Sequence, residues 1–202
     1  MTVAASGAVG YPRRGWSFAQ SVGRAALRLT GWRFSGTLPE LPKYVLIVAP
    51  HTSNWDFPVG ATAMFALDLD ARWFMKASMF RGPLDRLFRA LGGRPIRRET
   101  SEGVVSELAR LIRAEPHFIL AIAPEGTRKQ VKEWRSGFYR IAEAAGVPIV
   151  PVRFDFSRRE IGIGAPMQPT GDLAADVATL KALFTPDMAR NPSGFWANPT
   201  PN

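Results

Sequence analysis

The chain contains two histidines, and one of them, His51, stands five residues before an aspartate in the stretch APHTSNWDFPVG (49–60). An ionised Asp56 that accepts from one ring nitrogen sets the imidazole tautomer and leaves the other nitrogen free to take a proton. That is the chemistry of a general base acting on a hydroxyl. On a continuous helix five residues turn through about 500°, so the two side chains would point apart. They meet only if His51 lies in a loop before a helix and its ring folds back over the first turn, where the helix dipole favours the negative charge of Asp56. Ser53, Asn54 and Asp56 are also good N-cap residues. On spacing alone, a capped helix start is the better reading.

A second cluster is APEGTRKQ (123–130). Gly126 allows close backbone approach to a ligand. Arg128 offers a planar fork of donors suited to phosphate, Thr127 a hydroxyl, and the local N–H groups an anion nest. Glu125 leads the turn. A third cluster, GGRPIRRE (92–99), carries Arg94, Arg97 and Arg98 after two glycines. Taken singly, each of these two reads as a solvated surface turn.

The elements that must position these residues follow from the pattern. KYVLIVAP (43–50) and HFILAIAP (117–124) are short continuous apolar runs ended by proline, as expected of strands buried on both faces. Each of the first two clusters lies just past such a run. A helix is expected from about 54 to 69, with Pro58 in its first turn. ARWFMK (71–76), a brief RPIRR segment, VPIVPVRF (147–154) and REIGIGAP (159–166) read as further strands, the last as an edge strand. Helices are expected at 82–93, from a cap at Thr100 or Ser101 to before Pro116, at 136–146 and at 172–184. Strands alternating with helices at this spacing indicate an α/β domain: a mostly parallel central sheet flanked by helices. In such folds ligands bind where strands end and helices begin.

The domain is expected over residues 35–190, with a loose leader and an N-terminal amphipathic helix in 1–34 and an irregular tail in 191–202. In the helix, Phe18, Val22, Ala25, Leu29 and Trp32 follow helical spacing, with Arg24 and Arg28 on a flank. Such a helix either lies in a membrane interface or docks on its own domain. The RRGWSF stretch is not a twin-arginine export signal, because Arg24 and Arg28 interrupt the apolar core such a signal requires.

Composition narrows the chemistry. The absence of cysteine excludes disulfides, thiolate metal sites and thiol nucleophiles, and no metal-ligand cluster is visible. The net charge of +9 points to an anionic partner. Without repeats or an RNA-binding aromatic signature, nucleic acid is not the expected one. No stretch approaches the roughly 18 apolar residues of a spanning helix.

Taken together, the clusters resemble the glycerolipid acyltransferase family, the lysophosphatidate acyltransferase-like group. HTSNWD matches its H-x-x-x-x-D block, GGRPIRR its second block with Ile96 and Arg98 in place, Pro124–Arg128 its P-E-G-T-R block, and VPIVPV (147–152) its apolar proline-containing strand. The first block alone is weak. Its pairing with P-E-G-T-R about seventy residues on, each after an apolar strand, is specific. Pro50 where many members have asparagine, Arg97 where an acidic residue is frequent, Lys129 where a small polar residue is, and Arg135 where lysine is common depart from the pattern.

The resemblance implies acyl transfer from acyl-CoA or acyl carrier protein, as co-substrate and without a cofactor, to the hydroxyl of a lyso-phospholipid. His51 would be the base, Asp56 its partner, and Ser53 and Asn54 supporting residues. Arg98, Glu125, Gly126, Thr127 and Arg128 would bind the acceptor's phosphate and glycerol region. It implies a cytoplasmic protein peripheral on an anionic membrane surface. A non-catalytic lipid-surface module of the same fold and an acyl-thioester hydrolase are the rival readings.

Overall fold

In the computed structural model of the chain, residues 10–80, 82–96 and 101–196 are described. In order they form α1 (Ser17–Leu29), β1 (Arg33–Ser35), β2 (Lys43–Ala49), α2 (Asp56–Ala66), β3 (Ala71–Lys76), α3 (Pro83–Ala90), β4 (Gly93–Ile96), α4 (Ser101–Ala114), β5 (Phe118–Ile122), α5 (Gly137–Ala145), β6 (Ile149–Asp155), β7 (Glu160–Ile163) and α6 (Leu173–Lys181). The strands make one sheet in the order β1-β7-β6-β2-β5-β3-β4. Every neighbouring pair is parallel except β6 with β7. This is the expected α/β arrangement.

The apolar runs are strands because they sit between two cores. Along β2, Val45, Ile47 and Ala49 belong to one core with residues of α4, α5 and α6; Tyr44 and Leu46 belong to the other with residues of α1 and α2. Side chains alternate across a strand, so a strand covered on both faces needs an apolar residue at every position.

Three features differ from the expectation. REIGIGAP is not at the sheet edge: β7 lies between β6 and β1, which pairs Arg33–Ser35 with Glu160–Gly162. Phe34 thus belongs to a strand, and Trp32 lies beyond the end of the helix. A three-residue strand carries no period of its own, so it shows only through its partner. The second feature is the leader. Arg14 donates from its backbone to Asp68 O and from Nε to Leu69 O, and the Asp68 carboxylate accepts from the N–H groups of Gly15 and Trp16. Residues 10–14 are therefore stitched to the turn after α2; residues 1–9 lie outside the described part.

The third is α1. It docks on α2 through Leu27 and Gly23, not through the apolar stripe. A Cβ on Gly23 would stand 2.7 Å from Ala66 N, so the helix backbones are in close approach. Arg24 Nε donates to Ala66 O at this interface. Phe18 and Leu29 are 82% and 87% exposed, and Val22 is exposed beside them. Among the described residues no helix is long and apolar enough to cross a membrane.

Candidate active site

The β2–β5 register pairs Ile47 with Ile122, so the loops leaving these two strands emerge side by side. The loop after β2 carries His51, and the loop after β5 carries Glu125. Their contact follows: Glu125 Oε1 accepts from His51 N at 2.8 Å. Pro50 follows the last residue of β2, and the Ala49–Pro50 peptide is cis.

Asp56 is the first residue of α2 and is 2% exposed. Its Oδ2 accepts from Ser53 N at 2.8 Å and lies 3.1 Å from His51 Nδ1. An ionised carboxylate only accepts, so this contact favours a proton on Nδ1. Among the described residues no group bonds to Nε2. The ring is folded back over the helix start, as the five-residue spacing requires of any contact between the two side chains. Asp56 Oδ1 is buried without a partner among the described residues.

Ser53 is buried, and its Oγ accepts from Trp55 N at 3.1 Å. No side chain caps α2 in the ordinary way. Asn54 is exposed, as is Trp55. The start of α2 is thus held by two reciprocal bonds, Ser53 Oγ accepting from Trp55 N and Asp56 reaching back to Ser53 N, and not by Asn54.

In the second loop Glu125 is 3% exposed, and its Oε2 is buried without a partner among the described residues. Burial pushes its carboxyl up to about 7, against the opposing effects of the hydrogen bond from His51 N and of nearby His51; the neighbouring Asp56 adds to the rise. Gly126 has φ +65°, and a Cβ there would stand 2.8 Å from the Arg135 side chain. Only glycine meets both conditions without strain. Thr127 Oγ1 accepts from Lys129 N, and Arg128, Lys129 and Arg135 are exposed. The structure brings His51, Asp56, Ser53 and Glu125 together; Arg97 and Arg98 lie outside the described residues.

A cleft of about 1000 Å³ opens beside this loop. It runs between α4 and α5 over the end of β5, walled by Phe74, Val105, Leu108, Leu120, Trp134 and Phe138, and it reaches Pro124 and Gly126. Arg135 and Arg140 stand on it as well; His51 and Asp56 do not line it. No local pattern in the sequence indicated this cavity, because its walls come from four separate elements.

The acyltransferase family profile matches residues 35–155, which run from the last residue of β1 to the last of β6 and include both motif loops. No curated protein sequence matches the chain. Among solved structures, the 1-acyl-sn-glycerophosphate (LPA) acyltransferase PlsC from Thermotoga maritima aligns with a TM-score of 0.58 over 83% of this chain and 78% of that one, at 18% identity. That likeness is one of fold.

Proposed function

Because the chain belongs to the acyltransferase family, we propose that it moves a fatty acyl chain from a thioester, acyl-CoA or acyl carrier protein, to the hydroxyl of a lyso-phospholipid such as 1-acylglycerol-3-phosphate. The observation that carries this reading is His51 Nδ1 set 3.1 Å from buried Asp56, in a loop whose backbone N–H is held by Glu125 of the neighbouring loop. The acceptor hydroxyl gives its proton to Nε2 as its oxygen attacks the thioester carbonyl, and Asp56 stabilises the imidazolium. The tetrahedral intermediate collapses with cleavage of the carbon–sulfur bond, and the leaving thiolate takes the proton back from Nε2. Backbone N–H groups near the start of α2 are suited to the oxyanion. The apolar cleft suits the acyl chain, and Arg128 with Arg98 the acceptor phosphate. Glu125 Oε1 holds the His51 loop, and Glu125, Gly126 and Thr127 are assigned to the glycerol region of the acceptor.

The test is incubation of the purified protein with labelled acyl-CoA or acyl carrier protein and a panel of lyso-lipids. Acylated lipid is the expected product, with Arg128→Ala raising the acceptor KM. Free fatty acid alone would mean a hydrolase, and no turnover a binding module; either result removes this reading.

The outward stripe of α1 supports a peripheral position on an anionic membrane: exposed Phe18, Val22 and Leu29 present an apolar face while Leu27 holds the helix to the domain. Phe18→Glu with Leu29→Glu should abolish most binding to phosphatidylglycerol-containing vesicles in a sedimentation assay without loss of fold. Vesicle binding equal to that of the wild type would show that the stripe does not meet lipid.

A further inference from the structure

The residues after α6 return to the active-site end of the sheet, outside the stretch that the family profile matches. Met188 O accepts from Phe156 N just past β6. Asn191 then grips Thr52 twice: its backbone N–H donates to Thr52 Oγ1 at 3.2 Å, and its side-chain Nδ2 donates to Thr52 O at 3.1 Å, across 139 positions of sequence. Gly194 packs on both motif loops, since a Cβ there would stand 3.2 Å from Thr52 Cβ and 3.5 Å from Arg128 O. Phe195 and Trp196 anchor the segment in the core, with the Trp196 ring 5.0 Å from that of Trp134, which walls the cleft.

The second bond to Thr52 has a specific consequence. Thr52 C=O and Ser53 N–H belong to one planar peptide unit. Asn191 holds that unit at its oxygen, and Asp56 Oδ2 holds it at its hydrogen, 2.8 Å from Ser53 N. The same Oδ2 faces His51 Nδ1. Rotation of this peptide would take away the Ser53 bond that aims the carboxylate at the imidazole.

We propose that Asn191 is a positioning residue for the His51–Asp56 pair: its amide fixes the Thr52–Ser53 peptide plane and, through it, the orientation of the Asp56 carboxylate. Its bearing on rate rests on the acyl-transfer reading above; its bearing on the imidazole does not. Asn191→Ala removes the amide and keeps the backbone bond to Thr52 Oγ1. Asn191→Asp keeps the shape and removes the donor. Both are compared with the full-length wild-type protein by long-range proton–nitrogen NMR of the imidazoles, with His117 as internal reference, and by acyl-transfer kinetics.

In the wild type, His51 should show the Nδ1–H tautomer. In both variants it should shift toward a mixture of tautomers while the His117 signals stay in place. Where acyl transfer is measured, kcat should fall by about tenfold to a hundredfold with acceptor KM unchanged. A wild-type His51 tautomer in either folded variant would overturn the proposal, whatever happens to activity or melting temperature. Absence of acyl transfer in the wild type would count against the functional reading alone, since the imidazole spectra would still decide the role of Asn191.

Discussion

Replacing His51 with alanine is expected to lower the rate of acyl transfer by about 10²–10⁴-fold, the contribution of a positioned general base. The reason lies in the contrast between its two ring nitrogens. Nδ1 faces a carboxylate buried at the first residue of α2, so the proton stays on that side, and Nε2 keeps a lone pair. Without the imidazole no group of the site takes that place: Glu125 is buried and turned to the His51 backbone, and Ser53 Oγ accepts from Trp55 N. The loss should fall on kcat more than on acceptor KM, because proton removal belongs to the transition state. Circular dichroism should show the fold unchanged, since the backbone N–H of residue 51 still donates to Glu125. His117→Ala is the control. His117 is exposed and immediately precedes β5, at the opposite end of the strand from the site, and its loss should leave the rate unaltered. A His51→Ala protein with near-wild-type turnover would exclude the mechanism.

The second large effect is on stability. The carboxyl of Glu125 is pushed from its ordinary 4.5 up to about 7, chiefly by burial. Below pH 4.5 both the folded and the unfolded chain hold this proton. As pH rises, the unfolded chain releases it first, and the folded chain keeps it until about 7. The unfolded state is thus favoured progressively across that window, and folding stability falls with rising pH before levelling off. The separation between 4.5 and about 7 corresponds to about 3 kcal/mol. Glu125→Gln keeps an acceptor for His51 N and has no proton to lose. Urea unfolding of both proteins from pH 4.5 to 8 should show the wild type losing about 3 kcal/mol relative to the variant. A difference that is flat with pH would mean that Glu125 is ionised throughout.

Some of this was legible in the residues. β2 and β5 announced themselves because burial on both faces demands unbroken apolar runs. The geometry of the His51–Asp56 contact was inferable because it is local: a strand that stops at Pro50 and a helix that starts within six residues leave few ways for the two side chains to meet. The left-handed backbone of Gly126, φ +65°, is a separate matter from the close ligand approach that its lack of a side chain suggests. β1 was not legible, since three residues have no periodicity and its existence depends on β7. The apolar stripe of α1 was visible at helical spacing, yet which face would dock was not. Gly23, the residue that lets α1 approach α2, has no side chain to signal it.

Local pattern sets the strand–loop–helix frame and the residues that stand at its ends, because these depend on runs and junctions a few residues long. Tertiary structure decided which way those residues face. Glu125 sits in a loop whose composition suits an anion, but the alignment of β5 against β2 turns it inward onto the backbone of His51. The Thr52–Ser53 peptide is held at its oxygen from Asn191, 139 positions away. Such contacts leave no trace in local spacing. They arise only when parallel strands fix which loops emerge together and the chain folds back across them.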